Sequence, residues 1–182
     1  MKIYTRKGDD GTTGLFYGGR VGKDSTGPEA YGTVDEAVSA LGIARAAAGE
    51  PLAGAILDLQ RQCFVVAAEL ATDPAARGKL VPGVSLCTAE MVASLESAID
   101  RLTEESGMPT GFVVPGGNAP AAALDLARTI VRRAERRAVG HLAVAGIDDS
   151  QVVPFLNRAA DYLYMLARAA EGTWEPSRPK EA

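Results

Sequence analysis

Apolar residues recur every three to four positions along most of the chain, and this spacing predicts long amphipathic α-helices. The first predicted helix carries a proline in its first turn, where the missing N–H is tolerated. Gly49-Glu50-Pro51 and Asp73-Pro74 interrupt the pattern and mark helix ends. The predicted helices cover residues 28–48, 52–71, 88–106, 121–140 and 150–171.

The two ends of the chain lack this periodicity. Residues 1–27 are rich in Gly, Asp and Thr and predict a loop segment with one short strand at residues 2–5. Residues 172–182 are polar and contain prolines, which predicts a loose tail. Five helices joined by short loops predict an all-α, up-and-down bundle over 28–171 within a single domain spanning 1–182.

Composition narrows the class of protein. The chain has 182 residues, is 47% hydrophobic and carries a formal net charge of −4, which argues against a general nucleic-acid binder. No uncharged stretch resembles a membrane span, and no signal peptide is visible. Cys63 and Cys87 match no metal spacing, so we expect free, buried thiols and a cytoplasmic location. His141 is the only histidine, and we expect it to cap a helix just beyond its end.

The segment 127–138 is the most informative part of the chain. At 3.6 residues per turn, its apolar residues form one stripe, which predicts a core face. The adjoining stripe contains Arg128, Arg132, Glu135 and Arg136. Guanidinium groups beside a core face need an anionic partner. This partner is either another part of the protein or a phosphate-bearing ligand, which suits the planar fork of arginine. The alternative is a solvated helix face with Arg–Glu pairs within the helix.

The segment Thr5-Arg-Lys-Gly-Asp-Asp-Gly-Thr-Thr-Gly14 has the glycines and hydroxyls of a phosphate-binding loop, although an ordinary turn fits it too. The following Gly18-Gly-Arg-Val-Gly-Lys-Asp24 resembles a P-loop. It fails because its glycine spacing is one residue short and Asp24 replaces the required Ser or Thr. Lys23 stays a candidate phosphate contact.

Three further features carry candidate chemistry. Asp35 falls within the packing face of the first helix, whereas Glu36 points away. Because an unpaired buried charge is costly, Asp35 either pairs with an arginine of the fourth helix or reaches water at the edge of the face. Asn157, Asp161, Tyr164 and Arg168 form a polar stripe that is either a ligand wall or the outer surface. Phe112 lies in an apolar loop that either plugs the end of the bundle or forms an apolar wall against a ligand.

Several separated motifs together resemble the PduO-type ATP:cob(I)alamin adenosyltransferases, over residues 3 to about 171. The motifs include Thr5-Arg-Lys-Gly-Asp-Asp-Gly11, Lys23-Asp-Ser25, Ala30-Tyr-Gly-Thr-Val-Asp-Glu36, Phe112-Val-Val-Pro-Gly-Gly117, the 127–136 helix, Asn157-Arg158 and Asp161-Tyr162. Ala159-Ala160 departs from the Leu-Ser common in the family, Val38 stands where Asn is frequent, and residues 72–86 match poorly. We therefore assign residues 72–86 no corrinoid contacts.

The resemblance implies a homotrimer with active sites between subunits, where ATP with Mg²⁺ and cobalamin bind. No His/Cys cluster in the sequence suggests a bound transition metal. The resemblance assigns catalytic roles to Asp35, Phe112 and Arg128: Asp35 pairs across the interface with Arg128, and Phe112 excludes the lower axial ligand of the corrinoid. The ATP contacts it implies are Thr5, Arg6, Lys7, Gly8, Thr13, Lys23, Arg132, Glu135, Arg136 and Asn157.

The implied reaction is transfer of the 5′-deoxyadenosyl group of ATP to cob(I)alamin, with triphosphate as the second product. A reductase or a B12-dependent enzyme is a possible partner. Two other classes stay open: a B12 or nucleotide carrier without turnover, and a helical interaction protein that presents its arginines to an acidic partner or RNA. The acidic composition disfavours RNA.

Overall fold

The structure is a computed structural model, and it describes residues 3–178. Five α-helices account for most of this part of the chain, as predicted. A short 3₁₀-helix, Pro74–Lys79, follows α2, and two short strands, β1 (Thr12–Gly14) and β2 (Arg20–Gly22), precede α1. The helices are α1 (Thr26–Ala47), α2 (Leu52–Leu70), α3 (Ala89–Ser106), α4 (Ala119–Ala145) and α5 (Val152–Glu171).

The helices form the predicted all-α bundle, with α1 packed on α4 and α2, and α5 packed on α4 and α3. Small residues make the contact between α1 and α4 close, because alanines recur on the buried face of both helices. On α1 they are spaced seven residues apart, and all six are buried: Ala30, Ala37, Ala44, Ala127, Ala134 and Ala138. Short side chains at a helix contact reduce the distance between the helix axes.

The fourth helix is longer than predicted. We placed its end at Gly140, but α4 continues to Ala145, and Gly146 ends it in the left-handed conformation with φ of 66°. A glycine inside a helix costs about 1 kcal/mol. Burial of the Leu142 side chain one half-turn later offsets this cost. Asn118 begins the helix by accepting a hydrogen bond from the Ala121 backbone N–H at 2.9 Å.

The extra length of α4 corrects the prediction for His141, which lies within the helix and does not cap it. Its Nδ1 atom lies 3.1 Å from Thr26 Oγ1, at the first turn of α1. Burial lowers the pKa of His141 below its usual 6.5, and a hydrogen bond to the Leu70 backbone offsets this only in part. The histidine therefore joins α1, α2 and α4 in its neutral form.

This lowered pKa predicts a loss of stability on acidification. The unfolded chain binds the proton more readily, so the contribution of His141 to the unfolding free energy is complete above pH 6.5 and decreases below it. We expect urea denaturation to show a larger wild-type advantage over His141→Asn at pH 7.5 than at pH 5.5. Parallel pH profiles for the two proteins would contradict this role.

The N-terminal and C-terminal segments differ from prediction. Lys2 lies outside the described residues, and Ile3, Tyr4 and Thr5 form no strand; the strands are instead β1 and β2, paired antiparallel with Thr13 opposite Val21. The tail is tied to the loop between α3 and α4 up to Ser177. Residues 179–182 of the predicted loose tail lie outside the described part of the chain.

A buried carboxylate anchors the loops at one end of the bundle. Glu69 of α2 accepts hydrogen bonds from the Cys87 backbone N–H at 2.7 Å, from Ser150 Oγ at 2.7 Å and from Arg77 at 3.1 Å. These bonds satisfy a side chain that is otherwise costly to bury. They fix the 3₁₀-helix and the start of α5 relative to α2. Between residues 3 and 178, no helix is long and apolar enough to cross a membrane.

Candidate active site

The N-terminal segment folds back on itself as a hairpin. Lys23 Nζ donates a hydrogen bond to the Gly8 carbonyl at 2.7 Å, and the Phe16 backbone N–H donates to the Ala71 carbonyl at 2.9 Å. A Cβ atom on Gly8 would lie 3.0 Å from the Thr12 carbonyl oxygen, so a larger residue there would require this part of the hairpin to shift slightly. The hairpin thereby places Thr5, Arg6 and Lys7 at the exposed surface beside Lys23.

The predicted ATP residues of α4 and α5 form a second group. Asn157 Nδ2 donates to Glu135 Oε1 at 3.0 Å, and Arg136 donates to the Arg132 carbonyl at 2.8 Å. The side chains of Arg132 and Arg136 are exposed, and Glu135 and Asn157 are half-buried beneath them. This arrangement leaves two guanidinium groups open to an anionic ligand, over a fixed polar base.

Within the described part of one chain, the two groups of predicted ATP residues are not bonded to each other. Across residues 3–178, no hydrogen bond or ion pair joins the predicted ATP residues of the N-terminal segment to those of α4 and α5. The first group contains Thr5, Arg6, Lys7, Gly8, Thr13 and Lys23, and the second contains Arg132, Glu135, Arg136 and Asn157.

Glu36, and not Asp35, forms an ion pair with α4 in the described structure. Glu36, expected to point away, pairs with Arg133 of α4 at 2.5 Å. Asp35 is exposed and lines an open groove of about 590 Å³ together with the aromatic rings of Phe16 and Phe64. The edge position considered for Asp35 is therefore the observed one within a chain, and its side chain is exposed.

Phe112 is exposed on the surface of the loop between α3 and α4. With 87% of its surface accessible, it does not plug the end of the bundle, which removes that interpretation of the loop. The loop borders a cavity of about 460 Å³ that Arg128 and Tyr164 also line. An exposed aromatic ring and a guanidinium group thus face the same space.

Arg128 pairs within its own chain with Asp125, with 3.1 Å between Nε and Oδ1. Asp125 is buried, and its other carboxylate oxygen bonds Arg168 of α5. The polar stripe of α5 was expected to be either a ligand wall or the outer surface, and Arg168 does not lie at the outer surface, because it is 1% exposed. Asp161 of the same stripe is exposed as expected.

Among residues 3–178, the metal-binding residue types form no metal centre and the cysteines form no disulfide. The described part of the chain contains no cluster of three His, Cys, Asp or Glu side chains able to hold a metal ion. Cys63 and Cys87 are free and buried, as predicted, and burial raises the pKa of both thiols to about 12. They are therefore protonated and unreactive near neutral pH.

Known proteins share both the sequence and the fold. The model of the cobalamin adenosyltransferase family matches residues 3–170. The chain is 39% identical to a corrinoid adenosyltransferase of Citrobacter freundii, over 94% of this chain and 96% of that protein. It is 40% identical to the corrinoid adenosyltransferase of Bacillus subtilis, over 92% and 86% of the two chains.

A solved structure extends the similarity to three dimensions. It is a variant of the PduO-type ATP:corrinoid adenosyltransferase of Lactobacillus reuteri, complexed with cobalamin and ATP. It superposes with a TM-score of 0.87 at 31% identity, covering 98% of this chain and all of the other. The residues matched by the family model, 3–170, include the N-terminal hairpin, α4 and the loop of Phe112. The chain belongs to the cobalamin adenosyltransferase family.

Proposed function

We propose that this chain transfers the 5′-deoxyadenosyl group of ATP to cob(I)alamin, forming adenosylcobalamin and triphosphate. The observation that carries the proposal is family membership over residues 3–170, in a chain whose stripe of Arg132 and Arg136 faces outward. The similar structure bound to cobalamin and ATP supports the same pair of substrates.

The chemistry requires little from the protein beyond positioning and charge. Co(I) is a strong nucleophile and attacks the 5′-carbon of ATP. A cobalt–carbon bond forms as the carbon–oxygen bond breaks, and the bonding electrons leave with triphosphate. Arg132 and Arg136 stabilise the charge that develops on this leaving group. Binding both substrates in a fixed orientation removes most of the remaining entropic cost.

Mg²⁺ fits this scheme as part of the nucleotide substrate. Among the described residues no carboxylate cluster holds a metal, whereas Mg²⁺ readily binds phosphate oxygens and keeps several waters. We propose that it enters with ATP. The guanidinium groups of α4 then neutralise the phosphate charge that the cation leaves uncompensated.

Phe112 and Arg128 act on the corrinoid side of the site in this proposal. An apolar ring at the lower face of the corrinoid excludes the axial ligand, and a four-coordinate Co(II) is easier to reduce to Co(I). The exposed position of Phe112 supports this role, since its ring is available to a ligand. Arg128 lines the same cavity and is held there by Asp125.

We propose that the active chain is a homotrimer with its sites between subunits. The exposed side chain of Asp35 supports this, because it is available to a neighbouring subunit. Pairing of Asp35 with Arg128 of a neighbour would bring the α1 groove against the Phe112 loop. A cytoplasmic location and a reductase or B12-dependent enzyme as partner stay predictions from the sequence.

Mixing two inactive variants tests the shared site. Lys23→Gln disables the N-terminal group and Arg132→Gln disables the α4 group. Co-expressed subunits of the two kinds should recover about a quarter of wild-type activity, because random assembly gives that share of sites two intact halves. We expect each variant expressed alone to stay inactive. No recovery in a mixed oligomer would place both groups in one chain.

A single-turnover reaction tests the function itself. Purified protein is mixed anaerobically with ATP, Mg²⁺ and chemically reduced cob(I)alamin, and the Co(I) absorbance is followed in dim light. We expect a protein-dependent decay that yields a light-sensitive product. Binding of both substrates without any decay would instead indicate a carrier.

A further inference from the structure

Arg168 lies at the centre of a buried ionic cluster beneath the Phe112 loop. Its Nη2 atom bonds Asp125 Oδ2 and lies 3.3 Å from Glu171 Oε2. The carboxylate side chains of Asp125 and Glu171 are 6% and 2% exposed. Two buried carboxylates repel each other unless a cation lies between them, so the guanidinium group holds both in place.

One branch of the cluster leads to Arg128. Asp125 uses one carboxylate oxygen for Arg168 and the other for Arg128, whose Nε lies 3.1 Å away. The orientation of Arg128 thus depends on a carboxylate that is itself oriented by Arg168. Tyr164, whose ring centre lies 5.2 Å from the Arg168 guanidinium carbon, lines the same cavity as Arg128.

A second branch leads to the loop that carries Phe112. Glu171 Oε1 accepts a hydrogen bond from the Gly117 backbone N–H at 3.0 Å, at the end of this loop. Asn118, which caps α4, donates to the Ala170 carbonyl at 2.7 Å. Both bonds join the loop to the last turn of α5, where Arg168 and Glu171 lie.

The third branch runs through the C-terminal tail. Trp174 Nε1 donates to the Arg168 carbonyl at 3.0 Å and fixes the start of the tail. The tail then pairs with the loop through Val114 N–H to the Glu175 carbonyl and Ser177 N–H to the Phe112 carbonyl, both at 2.8 Å. The backbone of Phe112 is therefore bonded directly to the tail.

We infer that Arg168 is a positioning residue that sets Arg128 and Phe112 in one geometry toward the corrinoid. The inference rests on the proposed function and adds residues outside the predicted site: Asp125, Arg168, Glu171 and Trp174. Arg168 Nε is buried without a hydrogen-bond partner in the described structure. Stabilisation alone therefore does not account for the ionic cluster, because an optimised cluster would satisfy this N–H group. Its three branches instead converge on two side chains that border one cavity.

The branches predict different responses to different corrinoids. Cob(II)alamin carries a lower axial ligand that Phe112 must exclude, whereas cob(II)inamide lacks this intramolecular base. Loss of the second or the third branch, which both lead to Phe112, should therefore slow adenosylation of cob(II)alamin. The effect on cob(II)inamide should be smaller. Loss of the Arg128 branch should slow both alike. The ratio of the two rates thus separates positioning of Phe112 from a general loss of structure.

The experiment compares Arg168→Lys and Trp174→Phe with the wild type under one reducing system. Each variant should increase the ratio of the adenosylation rate with cob(II)inamide to the rate with cob(II)alamin about tenfold. This is the effect expected from the loss of roughly one orienting hydrogen bond. The electron paramagnetic resonance signal of four-coordinate Co(II) should decrease in parallel. Asp125→Asn should lower both rates without changing the ratio.

Arg61→Lys is the matched control, because Arg61 forms an exposed pair with Asp58 on α2. It should leave both rates and the ratio unchanged. If Arg168→Lys fails to fold, Trp174→Phe carries the test, since it removes one N–H donor and keeps an aromatic ring. An unchanged ratio in folded Trp174→Phe would overturn the inference, whereas a wild type that adenosylates neither corrinoid would overturn the proposed function.

Discussion

An Arg132→Gln protein should form adenosylcobalamin about 100-fold to 1,000-fold more slowly than the wild type, the range for removing one preorganised charge-stabilising group. Glutamine keeps hydrogen-bond donors but loses the positive charge that stabilises triphosphate as it leaves. Because the Arg132 side chain is exposed, the fold should tolerate the change. Single-turnover kinetics with saturating ATP and chemically reduced cob(I)alamin measure the chemical step.

Arg137→Gln provides the matched control on the same helix. Arg137 pairs with Glu29 of α1 at 3.0 Å, and both side chains are about half exposed. Loss of such a surface pair changes stability by about 0–1 kcal/mol and should leave turnover close to wild type. Equal losses of turnover for Arg132→Gln and Arg137→Gln would contradict a specific role for the predicted ATP-binding residues of α4.

A Phe112→Ala protein should lose roughly 100-fold in turnover from cob(II)alamin, the scale of effect that a misplaced reacting centre produces. Without the ring, the lower axial ligand stays on cobalt and reduction to Co(I) becomes harder. With chemically supplied cob(I)alamin the loss should be much smaller. Thermal denaturation should be nearly unchanged, because the side chain packs against little of the protein.

Val144→Ala is the corresponding control, since Val144 is an exposed apolar residue near the far end of α4. It should keep wild-type turnover from both oxidation states. Undiminished turnover of Phe112→Ala from cob(II)alamin would contradict the exclusion of the axial ligand by this residue.

The helices were predictable because their signals are local. Periodic apolar positions and breaks such as Gly49-Glu50-Pro51 located the ends of α1 and α2 within two residues. The end of α4 was not predictable from Gly140, because burial of Leu142 on the bundle outweighs the weak local cost of glycine. Strands β1 and β2 were not predictable, because they are only three residues each. The hydrogen bond of Phe16 to Ala71, which ties their loop to α2, joins residues that are far apart in the sequence.

The placement of Asp35 and Glu36 shows the limit of a helical pattern. Adjacent residues differ by about 100° around a helix, so both lie near the edge of a broad packing face. The neighbouring helix decides between them. Arg133 of α4 lies next to Glu36, while Asp35 is left facing the groove. The sequence alone does not show how α1 and α4 are positioned relative to each other.

The buried ionic residues were missed for a different reason. Charged side chains are rarely fully buried, so the outer surface was the better expectation for Arg168. A usable signal was nevertheless present, since Arg168 lies among apolar residues of α5 and Asp125 lies next to Leu124 and close to Ala121 on α4. A cation and an anion on the apolar faces of two helices that pack together predict a buried pair.

The most direct test of the reaction is the fate of the 5′-carbon of ATP. The protein is given [5′-¹³C]ATP and cob(I)alamin, and the product is analysed by ¹³C nuclear magnetic resonance together with phosphate analysis. We expect a ¹³C atom bonded to cobalt and one intact triphosphate for each adenosylcobalamin formed. Release of phosphate or diphosphate without a labelled cobalt–carbon bond would contradict it.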